Sequence, residues 1–462
     1  MNIKQKIIIL IVSFLIFGSW FYFKDKYTIL PVKWKIIKLA DNWAWVWHTD
    51  PVTIWNNEKL FFSYISMKNQ KNNFSSYNPE NKNIINIDIS TDKSSVVDSH
   101  DHASLTILPD KNIFLSYNGH WKDSWFFFRK TKNNYPKTID NLTDEKQYIY
   151  KSENFTWYSN WYFLKKEKRL YIFMRWLDNK PTMIYSDNLW NTWSNPKKII
   201  TNSARRPYVH YASNSIDRID MIYTDWHPRK EKNSIYHIYY KNWFLNKSNW
   251  KIIKSISNSP INNNNINEKW TIIYNYSENE LNKNQTIDDY IPFWKAWVWD
   301  LEYTKEGLPV AVFSVSLWKN DDFKNIYYYY AWFTKDWVWK KKMIAKWWNS
   351  LYKIENDFAG WITIDPNNPS IVYYSSNAIN SSEKELKTEI YWNNKYKLYK
   401  VDFNRSTWKY VSKLFLENNN KLLIRPFIPA WKSKFESVLW MEWDNYTDMK
   451  NYTTSIKWWF SK

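Results

Sequence analysis

Seven histidines occur in the 462 residues, at 48, 100, 102, 120, 210, 227 and 237. His102 and His120 flank a stretch that reads as strand, polar turn and strand, with the turn at 109–112 and an apolar run at 113–117. Tyr158 and Arg175 flank the next stretch in the same manner. Hairpin folding sets the two ends of each stretch side by side. A His, His, Tyr and Arg set suits β-elimination next to a carboxylate. The proton on the carbon beside a uronate carboxylate is too weakly acidic to leave until the carboxylate charge is neutralised, which an Arg aided by a His can do. A His or Tyr can take that proton, and a Tyr hydroxyl can protonate the departing glycosidic oxygen. The residues alone do not divide the work between the imidazoles, and they leave open a structural role in which all four satisfy buried turns.

A second group, Arg206, Tyr208, His210, His227 and Arg229, reads either as an anion subsite or as structural ion pairs. No tight ligand spacing marks a metal centre. With no cysteine in the chain, thiolate metal sites, disulfides and a Cys nucleophile are excluded. The chemistry requires no cofactor; a structural metal is left undetermined.

The elements that position these residues are strands. From about residue 40 the chain alternates short Ile-, Val-, Tyr- and Phe-rich runs with Asn, Asp, Pro and Lys turns, and no long stretch shows a helical period. Seven units repeat a polar turn before an apolar strand, the strands lying at 60–65, 113–117, 170–174, 219–223, 308–313, 369–374 and 435–441. Most intervals suit a four-stranded blade. The long interval between 223 and 308 carries four consecutive asparagines at 262–265 and reads as an insertion or an elaborated blade edge. The expected fold is all-β: a seven-bladed β-propeller over 31–462, preceded by an N-terminal hydrophobic helix within 1–30.

Glycine punctuation is missing from this plan. The chain has 4 Gly and 34 Trp, where average usage predicts roughly 32 Gly. Tryptophan also stands where hairpins want glycine: Asn42-Trp43, Asn160-Trp161, Asp225-Trp226, Asn242-Trp243, Asn249-Trp250 and Asp336-Trp337. Reading the codon UGA as tryptophan, in a gene from a cell that reads it as glycine, would produce this string. On that reading Trp43, Trp161, Trp190, Trp226 and Trp243 are glycines, and Trp45, Trp47 and Trp193 are genuine. The run Ser186-Asp187-Asn188-Leu189-Trp190-Asn191-Thr192-Trp193 then becomes a turn with glycine at 190 and a packed Trp193 beneath it.

The formal net charge of +20 favours anionic partners such as acidic polysaccharide, although an AT-rich gene would produce the same lysine excess. Lys4 and Lys6 precede an apolar run at 7–23, which reads as a secretion signal or signal anchor contacting the membrane. An extracellular or cell-surface monomer is expected. No phosphate-binding loop, dinucleotide fingerprint or zinc-finger spacing is present, and no nucleic-acid partner is expected.

The run at 186–193 resembles the Asp-box of sialidase-type propellers, with Asn188 at the usual Asp position. Further segments, among them Trp45-Val46-Trp47-His48-Thr49-Asp50-Pro51, His100-Asp101-His102, Thr156-Trp157-Tyr158-Ser159-Asn160, Arg206-Pro207-Tyr208 and Asp225-Trp226-His227-Pro228-Arg229, are similar to the BNR-repeat propellers that include ulvan lyases and related polysaccharide lyases. The resemblance implies a lyase in which His102 is the general base, Tyr158 the general acid, and His120 and Arg175 meet the carboxylate. Arg206, Tyr208, His227 and Arg229 would contact substrate. Two other readings stand beside it. One is a non-catalytic glycan-binding surface propeller or adhesin. The other is a sialidase-like hydrolase, drawing its arginines from Arg175, Arg206, Arg229 and Arg425 but lacking a convincing Tyr–Glu pair.

Overall fold

A computed structural model describes residues 36–461, apart from 47, 92–98, 118–124, 151–155, 202–205, 229–231, 263–270, 277–293, 318–325, 348–360, 379–391, 419, 432, 434 and 449–450. The described residues form one compact unit. They build seven antiparallel sheets and a two-stranded parallel piece, Ile200–Thr201 with Ile261–Asn262. The architecture is an all-β seven-bladed propeller. Short 3-10 turns, such as Ser99–Asp101, are the only helical elements among the described residues, and no helix there is long and apolar enough to cross a membrane. The hydrophobic helix expected within 1–30 falls outside the described residues.

Each of the seven expected strands is the second strand of a blade: Lys59–Ser66, Ile113–Tyr117, Arg169–Arg175, Arg218–Thr224, Pro309–Leu317, Ile371–Ala378 and Ser437–Asp448. These second strands have neighbours on both sides and sheets above and below, so they read as continuous apolar runs. Ile113–Tyr117 is buried at every position. The first strands, including Ser104–Ile107, Trp157–Leu164, Val209–Ser213, Trp294–Tyr303 and Ile362–Ile364, pack against one another around the centre. The ring is closed by the start of the chain: Ile37–Asp41 pairs antiparallel with Asn451–Phe460 as the outer strand of the seventh blade, whose innermost strand is Leu422–Phe427.

The long interval proves to be an elaborated fourth blade. After Arg218–Thr224 it adds Ile235–Lys241, Phe244–Lys247, Ile252–Ser255 and Thr271–Tyr274.

The turn at 186–193 has the expected Asp-box bonding. Asn188 Oδ1 accepts from the Thr192 amide at 2.9 Å and from the Ser186 hydroxyl at 3.0 Å, and Trp190 N–H donates to Ser186 Oγ at 2.9 Å. Trp193 packs edge-on against Phe126, Phe128, Tyr148 and Trp161. Of the five tryptophans read as glycine, Trp190 (φ +75°) and Trp243 (φ +70°) have left-handed backbone. Trp43 and Trp161 do not, and both are fully buried; at the first site Asn42 takes the left-handed conformation instead. Trp226 is half-buried and likewise not left-handed.

Candidate active site

A cleft of about 280 Å³ opens where blades 1, 3 and 4 meet at the centre, lined by His48, Tyr158, Asn160, Arg175, Pro181, Tyr208 and Tyr211 among others. Its floor is set by an irregularity in the third blade. Trp157–Leu164 pairs with Arg169–Arg175, and the register shifts between Trp157 and Asn160. The bulge puts Tyr158 at φ +59°, a costly conformation for an aromatic residue. Such strain persists where the surroundings enforce it, and it clusters at functional sites. Asn160 is one enforcing group: its amide donates to Tyr158 O at 2.7 Å and to His48 O at 3.0 Å. One side chain thereby fixes the backbones that carry both the phenol and an imidazole.

Arg175 is the central charge. It is 5 % exposed, and its guanidinium carbon lies 3.9 Å from the Trp157 ring centre, 4.7 Å from that of Tyr158 and 5.2 Å from that of Tyr208. All three of its guanidinium nitrogens are buried and meet no hydrogen-bond acceptor among the described residues. Aromatic faces hold the cation through their quadrupoles, but they do not replace the acceptors a buried guanidinium wants. An arginine so placed is a ready receptor for a carboxylate.

Imidazoles pack against the two tyrosines that hold it. The His48 ring centre lies 4.9 Å from that of Tyr158 and 4.5 Å from that of Tyr208, and His100 lies 5.8 Å from Tyr158 on ring centres. Burial, then the positive neighbours Arg175, His210, His100 and His227, hold the His48 pKa well below the usual histidine value. His48 is therefore a neutral imidazole at pH 7. Tyr208 Oη is 3.4 Å from His227 Nε2, and Trp297 of the fifth blade packs on both rings. His210 Nε2 lies 3.3 Å from Asp300 Oδ1. Asp50 forms a bridge with Asn160, and burial, with Asp300 adding to it, raises its pKa to about 7. Arg206 also stands over the Trp157 ring, at 5.7 Å from its centre; burial and Arg175 weaken its hold on its proton.

The structure thus brings Tyr158, Arg175, Tyr208 and His227 together, with Arg206 at the edge. His120 and Arg229 lie outside the described residues. His102 does not line the cleft. It is fully buried, its Nε2 lies 3.1 Å from both the amide and the carbonyl of Val46, and its Nδ1 lies 3.3 Å from Ala103 O. Burial pushes its pKa down to about 4. The hairpin position that marked His102 does not show that backbone groups of Val46 and Ala103 meet both its ring nitrogens. Of the arginines offered for a sialidase, Arg425 is buried and donates to Trp45 O at 2.5 Å, and Arg229 lies outside the described residues. Sequence reasoning missed His48, Asn160 and Trp297. His48 sits between repeats, in an irregular stretch; in the sequence it stands out as one of seven histidines and as part of the family-like run 45–51.

A family model described as "BNR repeat-containing family member" matches residues 59–347. No curated protein matches the sequence. Among solved structures, an ulvan lyase of polysaccharide lyase family PL25, bound to -[GlcA(1-4)Rha3S]-, is similar with a TM-score of 0.63 and 11% identity, over 91% of this chain and 95% of the other. The polysaccharide lyase Uly1 is similar with a TM-score of 0.57 and 10% identity, over 94% of each chain. At that identity the likeness speaks to the fold, and the family model fixes the kinship: this chain belongs to the BNR repeat-containing family.

Proposed function

We propose that the cleft cleaves a uronate-containing anionic polysaccharide by β-elimination. The observation that carries this reading is Arg175, a buried guanidinium with no acceptor among the described residues, set among aromatic faces and imidazoles. A uronate carboxylate supplies the missing acceptors. Its neutralisation acidifies the neighbouring C5 proton and holds the enolate that forms. His48, neutral and beside Tyr158, accepts that proton in this reading, a role the family resemblance gave to His102. Collapse of the enolate forms the C4–C5 double bond and breaks the bond to the leaving oxygen, which takes the Tyr158 hydroxyl proton. His48 then returns its proton through solvent to restore the phenol. Tyr208, with His227 behind it, and Arg206 hold neighbouring sugar groups.

The fold shared with two polysaccharide lyases supports the reading without naming the polymer. Export to the cell exterior, on the strength of the basic start and the apolar run at 7–23, belongs to the same proposal. The test is incubation with uronate polymers while the absorbance of the unsaturated product is followed. Binding without product, for every polymer tried, would instead support a glycan-binding propeller.

A further inference from the structure

We infer that the native residues at positions 190, 243, 250, 337, 361, 408 and 431 are glycines, encoded by UGA in a cell that reads this codon as glycine. These seven tryptophans have φ between +60° and +96°. That region is open to glycine and costly for bulky side chains. Aromatic character does not explain the set. The chain has 35 Tyr and 25 Phe, yet among the described residues tyrosine contributes only Tyr158 to the left-handed region and phenylalanine none.

The fifth blade contains its own control. Its turn Thr304-Lys305-Glu306-Gly307-Leu308 has Thr304 N–H donating to Leu308 O at 2.8 Å and Gly307 N–H donating to Thr304 O at 2.9 Å. Its turn Thr334-Lys335-Asp336-Trp337-Val338 repeats both bonds, at 2.9 and 3.1 Å. The fourth-blade turn 247–251 repeats them again, at 2.9 and 2.9 Å. The fourth residue of each is Gly307 at φ +77°, Trp337 at +66° and Trp250 at +69°. A Cβ at Gly307 would meet nothing within 4 Å, so backbone conformation, not space, is what glycine serves there. Lys111 (φ +63°) and Asn179 (φ +56°) fill the same slot in turns 108–112 and 176–180, so the slot admits other residues. The anomaly is the recurrence of the bulkiest side chain in it.

Asn242-Trp243 is the sharpest case. It joins Ile235–Lys241 to Phe244–Lys247 in two residues with φ +49° and +70°, the type I′ pattern that Asn-Gly serves best. Trp43, Trp161 and Trp226 lack left-handed backbone and are not part of this assignment.

The assignment bears on carbohydrate contact. Trp250 and Trp337 form an edge-on pair with ring centres 4.5 Å apart, 61% and 44% exposed, which as tryptophans would be an aromatic platform for sugars. As glycines they leave no platform there.

Mass spectrometry of peptides from the protein isolated from its source cells tests the inference, together with the codons of its gene. Glycine masses at the seven positions and UGA codons are expected, with a tryptophan mass and UGG at 193. Tryptophan masses or UGG codons at the seven positions would overturn it. A second measurement compares recombinant proteins carrying Trp or Gly at all seven. The glycine form is expected to melt at a higher temperature, while the single change Trp193→Gly lowers the midpoint. A glycine form that melts no higher than the tryptophan form would contradict the conformational argument.

Discussion

Arg175 decides what the cleft can hold. Its nitrogens are buried and reach no acceptor among the described residues; a sugar hydroxyl accepts one bond from them, whereas a carboxylate accepts two in parallel and neutralises the charge. Arg175→Met keeps the stacked volume and removes the charge. Turnover of a uronate polymer should fall by roughly 10²- to 10³-fold or more, the usual cost of one electrostatic donor at a reacting centre; initial rates of unsaturated product check it. The His48 proposal makes a prediction about pH. Its folded pKa is depressed, so the imidazole is protonated only well below the ordinary histidine range. Activity should therefore hold through pH 6.5 and fall only at more acid pH, and the pH–rate profile of His48→Gln should lose that acid limb along with most of the rate. His102→Gln acts through packing instead: it should lower the melting temperature, because a fully buried ring bonded to Val46 and Ala103 is disturbed.

At the scale of elements, the cleft depends on one bulge. Asn160 ties Tyr158 O to His48 O, and buried hydrogen bonds of this kind are worth about 1–3 kcal/mol when one partner is lost. Asn160→Ala should lower kcat while the protein stays folded; circular dichroism melts beside rate measurements separate the two effects. The strands themselves were legible in the sequence. All seven turn-then-strand units fall on the second strand of a blade, because doubly covered strands must be apolar throughout. What was not legible is which short polar stretch feeds the centre. Period-two alternation marks two faces of a strand and does not say which faces inward. Tyr158 and Arg175 were found because they flank a clear hairpin. His48 was not, because 45–52 has neither a repeat nor a regular strand to mark it. His102 was taken for a cleft residue because nothing in the sequence shows Val46 folding back to meet it.

The described residues form a closed ring, and its closure is non-local. Ile37–Asp41 completes the last blade by pairing with Asn451–Phe460. Deleting 36–41 exposes that strand as an edge and should lower the thermal midpoint by more than any surface substitution, as calorimetry would register. The half-buried Asp50 adds a pH dependence to stability. Its folded pKa of about 7 lies above the ordinary aspartate value, so the folded state holds the proton more tightly. Between about pH 4 and 7 this contribution declines as pH rises, and Asp50→Asn should melt above the parent at pH 8 and match it near pH 4.

In the proposed reaction Arg175 receives a uronate carboxylate for elimination. One measurement addresses it most directly: product absorbance from one uronate polymer and from the same polymer with its carboxyls reduced to alcohols, each with the parent protein and with Arg175→Met. Unsaturated product is expected only from the parent protein acting on the carboxylate form. Equal product from the reduced polymer, or undiminished product from Arg175→Met, would contradict it.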